Sequence, residues 1–246
     1  MPYRKNDFLL VIPARYASSR FPVKPLAKIN GIPMIERTYK QCLKATSREN
    51  IIVATDHKKI QEFCNSRSIP NIITSKKCLT GTDRLVEVAK KKKFSFYINV
   101  QGDEPIFNPR DIKLLIKNMF KFPDHVLNGY CKLTDNTRFH HRDCPKVVIS
   151  KSGRLMYASR KPIPEKGLNK KLGIYPYRQV CAYSFPRKLL LNFASSKKMP
   201  LEKLEDIEIL RFIELDIPVK MLKMSSDSIA VDRKSHIKKV ENKLIK

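Results

Sequence analysis

The sequence predicts an α/β protein built on a doubly wound, mostly parallel sheet with a smaller mixed-sheet subdomain. Three observations predict it. Residues 8–13 (FLLVIP) form a continuous apolar run, the pattern of a strand buried on both faces. Segments of helical and strand period alternate from there to Phe120, as parallel strands joined by crossover helices require. The pattern then gives way to short strand-like runs separated by turns such as Lys151-Ser152-Gly153.

Taken in order, the first strand is followed by a turn-rich loop. A helix over Met34–Ala45 comes next, with Met34, Ile35, Tyr39, Cys42 and Leu43 at apolar positions. Strands are expected at Ile51–Ala54, Ile72–Thr74 and Phe96–Val100, and helices near His57–Arg67, Thr82–Lys92 and Pro109–Phe120. The middle region offers strands at Val126–Leu133, Lys146–Ser150, Leu155–Ser159 and Val180–Phe185. A helix over Leu201–Leu215, a strand over Val219–Met224 and a basic helix from Lys234 complete the chain. The expected organisation is one domain over residues 1–246, with 126–200 as a subdomain.

Composition narrows the function. The chain has 246 residues, 42% hydrophobic and 30% charged, the balance of a globular protein that folds unaided. No apolar run approaches the roughly 20 residues of a membrane span, and the N-terminus enters a buried strand instead of a signal-peptide pattern, so a cytoplasmic protein is expected. The six cysteines form no CxxC pair and have no histidine at ligand spacing, which argues against zinc and against a disulfide framework. The net charge of +27 raises the question of a polyanionic partner. The excess is spread over helix faces and tails such as Lys90–Lys93, Lys197–Lys198 and Lys238–Lys239, and no basic stripe is interleaved with aromatics, which argues against nucleic acid.

In open α/β sheets ligands bind beyond the carboxyl ends of the strands, so the loops after Pro13, Ala54, Thr74 and Val100 are where chemistry is expected. The first loop, Pro13-Ala14-Arg15-Tyr16-Ala17-Ser18-Ser19-Arg20-Phe21-Pro22-Val23-Lys24, carries three cations and two serine hydroxyls. Such a set neutralises and cradles phosphate oxygens, although composition alone fits a solvated loop equally well. It is not a Walker-type loop, since the glycine spacing and the Gly-Lys-Ser/Thr ending are absent. The loop Asn99-Val100-Gln101-Gly102-Asp103-Glu104-Pro105 places Asp103 directly beyond a buried strand, where a carboxylate can hold Mg²⁺. Asp103 could instead cap the next helix, but Pro109 at a first turn makes Asn108 the better cap. A second carboxylate, Asp232, follows Ile229-Ala230-Val231, which reads as a short apolar strand, or else caps the last helix.

The string PARYASSRFPVKPL followed by Asn30-Gly31-Ile32-Pro33-Met34-Ile35 resembles the signature of the CMP-KDO synthetases, the 3-deoxy-manno-octulosonate cytidylyltransferases, and NVQGDEP is similar to their metal-binding loop. The resemblance runs over nearly the whole chain and implies a nucleotide-diphospho-sugar transferase-like fold. It implies CMP transfer from CTP to the anomeric hydroxyl of 3-deoxy-D-manno-octulosonate (KDO), for lipopolysaccharide or related surface glycans, by a cytoplasmic homodimer using Mg²⁺. Arg15, Lys24, Asp103 and Asp232 are implied as catalytic, with the metal on Asp103 and Asp232. Nucleotide contacts are implied for Pro13, Ala14, Arg15, Ser18, Arg20, Lys24, Thr82, Arg84 and Gln101. The chain departs from the pattern in two of these regions. Ala230 and Arg233-Lys234 replace the residues that flank the family's second aspartate, Cys78 stands where the family has His, and Thr80 replaces a Ser.

For the sugar, Tyr157-Ala158-Ser159-Arg160 resembles the family's Tyr-Phe-Ser-Arg, implying that Arg160 meets the substrate carboxylate. Two registers compete for the family's His-Leu-Gly-Ile-Tyr-Gly-Tyr strand. Leu172–Arg178 imitates its letters but puts Pro176 inside a strand. Gln179–Phe185 reaches Leu201-Glu202 without a gap and is adopted, placing Gln179 and Tyr183 at the sugar. Glu202, Glu205 and Glu208 lie three apart on the predicted helix, where such residues ordinarily form a solvated face. The resemblance makes Glu208 a sugar-hydroxyl ligand, while Ile209 replaces a family Gln. The rival readings are CMP transfer to another acidic ketosugar, such as an amino-KDO or a sialic-acid-like sugar, and a non-catalytic basic protein that binds nucleic acid.

Overall fold

The computed structural model describes residues 7–17, 21–78, 80–167, 169 and 175–245. The chain divides into two compact units, one comprising the chain up to Ile116 and from Asp227 onward, the other Lys117–Ser226.

In the first unit β1 (Phe8–Ala14) is buried at all seven positions. A 3-10 turn over Lys24–Leu26 leads into a two-stranded antiparallel ribbon, β2 (Lys28–Ile29) and β3 (Ile32–Pro33). Helix α1 (Met34–Leu43) buries Met34, Ile35, Thr38, Tyr39 and Cys42. Thr38 thus takes the inward place expected of Leu43, which is exposed. Then follow β4 (Ile51–Thr55), α2 (Lys58–Ser66), β5 (Asn71–Ile73), α3 (Gly81–Lys91), β6 (Phe96–Val100) and α4 (Pro109–Met119). The caps explain where these helices begin. His57 accepts from the Lys59 N–H at 3.1 Å, Thr80 and Asp83 form a reciprocal capping box on α3, and Asn108 accepts from the Arg110 N–H at 3.0 Å.

All pairings in this unit's main sheet are parallel, in the order β6-β1-β4-β5. The chain runs outward from β1 through β4 to β5 and returns to the other side of β1 as β6. The order therefore reverses at β1 and β6, and the loops after those two strands flank the switch point where open α/β sheets bind ligands.

The second unit holds β7 (Val126–Lys132), α5 (Asn136–His140), β8 (Lys146–Ile149), β9 (Leu155–Ser159), β10 (Tyr177–Pro186), α6 (Arg187–Ser195), α7 (Pro200–Glu205), α8 (Ile209–Glu214) and β11 (Val219–Lys223). Its sheet is mixed. β7 pairs antiparallel with β10 and parallel with β11, while β8 pairs antiparallel with β10 and β9. Between Val180 and Tyr183 the register of β10 shifts by two residues, and Asn128 of β7 donates its amide to the carbonyls of Val180 and Ala182 at 3.0 and 2.9 Å. A bulge with two carbonyls turned inward needs such donors.

The single helix expected over Leu201–Leu215 is two helices. Asp206 closes α7 in the left-handed region at φ 52°, and α8 begins three residues later. Across the break runs a buried ion pair that the helical period does not encode. Arg211 reaches back to Glu202, Nε to Oε2 at 2.5 Å and Nη2 to Oε1 at 2.7 Å, both side chains almost wholly buried. The short helices α5 and α6 and the ribbon β2–β3 were not foreseen from the sequence.

The last helix, α9 (Ser235–Leu244), returns to the first unit. Phe21, Ile29, Met34, Val231 and Val240 form a common apolar cluster that seats it beside the ribbon. Among the described residues no helix is long and apolar enough to cross a membrane.

Candidate active site

A polar cavity of about 180 Å³ lies in the first unit, lined by the loop after β1 (Pro13, Ala14, Arg15, Ala17), Lys24, the start of α3 (Gly81, Arg84), the loop after β6 (Gln101, Gly102, Asp103) and Asp232. Residues more than two hundred positions apart thus meet at the carboxyl ends of β1 and β6.

Lys24 occupies the centre of this arrangement. Its Nζ lies 2.5 Å from Asp103 Oδ2 and 3.7 Å from Asp232 Oδ1, so one ammonium bridges the two carboxylates. The 3-10 turn that presents Lys24 starts from Val23 at φ 57°, a conformation that costs a β-branched residue of order 1–3 kcal/mol. The Val23 N–H donates to the Tyr16 carbonyl at 3.2 Å, which closes the base of the loop. Gly102 is required by close approach, because a Cβ there would lie 2.6 Å from the Pro13 carbonyl oxygen.

Asp232 owes its place to backbone ties. The Val231 N–H donates to the Asp103 carbonyl at 2.9 Å, and the Asp232 N–H donates to His236 Nδ1 at 3.2 Å. These bonds hold the aspartate beside Asp103 although the residues around it depart from the family pattern. Lys234, the residue at the start of α9, contributes no side-chain capping bond.

The other nucleotide-side positions divide. Pro13, Ala14, Arg15, Lys24, Arg84 and Gln101 line the cavity. Thr82 is buried in the first turn of α3 and is not among the lining residues, and Ser18 and Arg20 lie outside the described residues. Cys78 is buried with its thiol against Glu87 Oε1 at 3.3 Å, and burial followed by that contact pushes it up to about 12. No group of three or more His, Cys, Asp and Glu side chains that could hold a metal occurs among the described residues. Two carboxylates are what the cavity provides.

Asp56, directly after β4, was missed. Its Oδ1 accepts from the Tyr16 N–H and its Oδ2 from Arg84 Nη2, each at 3.0 Å. The available signal was its position at a strand's carboxyl end, in a loop already expected to line the site.

The residues expected at the sugar lie in the second unit. Gln179 and Tyr183 stand on β10, the strand that the adopted register requires, with Pro176 outside it. Gln179 Nε2 donates to Asn128 Oδ1 at 2.9 Å and to the Tyr183 hydroxyl at 3.3 Å. Burial raises the Tyr183 phenol well above its usual range, helped by Cys181 and Glu208 nearby. Glu208 occupies the turn between α7 and α8.

Arg160 does not present an open fork. Its Nε donates to the Glu205 carbonyl at 2.8 Å, Nη1 to Arg142 O at 3.2 Å and Nη2 to Asp206 O at 2.7 Å. A cation at the C-terminus of α7 satisfies carbonyls the helix leaves unpaired, and this occupies the guanidinium expected at a substrate carboxylate. Nor do the three glutamates form a solvated face. Glu202 is buried against Arg211, and Glu205 accepts from the Ser159 hydroxyl at 2.7 Å and the Arg160 N–H at 2.8 Å.

A family model described as cytidylyltransferase matches residues 9–220. The 3-deoxy-manno-octulosonate cytidylyltransferase of Protochlamydia amoebophila (strain UWE25) is 35% identical over 247 residues, covering 96% of this chain and 93% of that one. The chain belongs to the 3-deoxy-manno-octulosonate cytidylyltransferase family. The Escherichia coli member is 34% identical over 238 residues, covering 94% of each chain. A solved structure of CMP:2-keto-3-deoxy-manno-octonic acid synthetase complexed with CTP matches with a TM-score of 0.89 and 31% identity over 97% of this chain and 98% of that one. A cytidylyltransferase from Leptospira borgpetersenii serovar Hardjo-bovis, 14% identical with a TM-score of 0.60, shares the fold.

Proposed function

We propose that the protein transfers CMP from CTP to the anomeric 2-hydroxyl of KDO and releases pyrophosphate, for lipopolysaccharide or related surface-glycan synthesis. The observation that carries this reading is the cavity in which Asp103 and Asp232 converge on one cation while Arg15 and Arg84 line the walls. Two carboxylates meeting at one positive charge are hard oxygen donors around a cation position, a set that fits Mg²⁺. Bound there, Mg²⁺ would neutralise triphosphate oxygens and stabilise charge on the attacking and leaving oxygens. Arg15, Lys24 and Arg84 bind the phosphates, and Gln101 and the main chain at Gly81 and Gly102 receive the nucleotide at close range. The sugar oxygen attacks the α-phosphorus as the bond to pyrophosphate breaks, so no covalent enzyme intermediate is needed. Positioning and fixed charge provide the acceleration.

Gln179, Tyr183 and Glu208 contact the sugar, and Arg160 holds the turn that carries Glu208. A cytoplasmic homodimer is the assembly and setting that go with this activity. Pyrophosphate release should require CTP and KDO together, stop when EDTA removes divalent ions and resume with added Mg²⁺. Preference for another nucleotide, or for another ketosugar acid over KDO, would overturn the substrate assignment. Because Tyr183 stands on β10 and Tyr175 precedes it, Tyr183→Ala should raise the KDO KM by roughly tenfold or more, the loss of a hydrogen-bonding side chain from a sugar site. Tyr175→Ala should change it less than about twofold, and the reverse order would refute the register.

A further inference from the structure

Asp56 does not line the cavity, yet it is bonded to two segments that do. One carboxylate oxygen accepts from the backbone N–H of Tyr16, between the lining residues Arg15 and Ala17. The other accepts from Arg84 Nη2, in an ion pair where the arginine is fully buried and the aspartate nearly so. The neighbouring His57 stacks its ring on that of Tyr16, with centroids 3.6 Å apart and planes within 10°. The dipeptide after β4 therefore grips the loop twice, at its backbone and at its ring.

Arg84 is almost fully committed on one side. Its Nη1 donates to the Thr74 hydroxyl, and Thr74 is itself fixed to β4 through its N–H and hydroxyl on the Thr55 carbonyl, at 2.8 and 3.0 Å. Arg84 Nε, in contrast, is buried and has no partner. A buried N–H of a charged group left without an acceptor is costly, and here it belongs to a residue that lines the cavity.

We propose that Asp56 is a positioning residue for nucleotide binding, locking the Arg15–Ala17 backbone and the Arg84 guanidinium into one register so that both meet the same nucleotide. This rests on the nucleotidyl-transfer reading above. Asp56 touches neither nucleotide nor sugar, so its effect falls on binding of one substrate.

The test is calorimetric titration of CTP, without sugar, into wild type, Asp56→Asn and Asp56→Ala, together with the KM for each substrate. Asp56→Asn keeps an acceptor for the Tyr16 N–H but loses the charge facing Arg84, so CTP binding should weaken roughly tenfold. Asp56→Ala removes both and should weaken it about a hundredfold, the scale expected when a buried arginine loses its partner. The KM for KDO should stay within about twofold in both. CTP affinity unchanged in a folded Asp56→Asn protein, or equal losses in both substrates, overturns the positioning role. Wild type that binds no CTP overturns the nucleotidyl-transfer reading, and this inference with it.

Discussion

Replacing Asp103 by Asn should lower kcat by about 10²–10³-fold, the usual consequence of removing one preorganised charge from a transfer site. The substitution is isosteric and keeps an oxygen acceptor facing Lys24 at this partly buried position. Thermal unfolding should therefore be nearly unchanged, and loss of turnover without loss of fold is the expected signature. The Mn²⁺ affinity of the CTP complex should fall in parallel, which separates a metal ligand from a general electrostatic role. A folded Asp103→Asn enzyme turning over within tenfold of wild type would sink the metal assignment. Asp232→Asn should behave alike, since the same ammonium bridges both carboxylates.

The second large effect concerns stability. Arg211→Leu leaves Glu202 buried beside no counter-charge, and breaking one side of such a pair costs about 3–5 kcal/mol. For a chain of this size that corresponds to a fall in Tm of roughly 10 °C. The arginine also stacks over Phe193 at 3.7 Å and donates to the Phe193 and Ser196 carbonyls, so lost packing adds to the cost. Removing both charges, as Glu202→Leu with Arg211→Leu, should be less damaging than Arg211→Leu alone. Thermal denaturation of the three proteins checks this, and a single mutant within about 1 kcal/mol of wild type would contradict it.

These two predictions differ in how far the sequence could reach. Asp103 was legible because several local signals agree: a buried strand ends at Val100, a glycine permits close approach, and Asn108 rather than Asp103 caps the next helix. Asp232 was picked out by the apolar residues before it, but Ile229–Val231 form no strand, and what holds the aspartate, the bond from the Val231 N–H to the Asp103 carbonyl, joins segments far apart in the chain. The glutamates were misjudged for the same reason. Spacing by three puts carboxylates on one helical face only while the helix continues, and Asp206 ends it.

By itself the sequence determined the period of the longer elements, the boundaries of α1 to α4 within two residues and the loops that carry the chemistry, because apolar spacing and capping act within a few residues. The tertiary structure decided which partner each buried polar group takes: Lys24 between Asp103 and Asp232, Arg84 on Asp56, Arg160 on the end of α7 and Arg211 on Glu202. A buried charge takes whatever acceptor the fold brings within about 3 Å, and sequence patterns of a few residues do not specify which distant segment that will be.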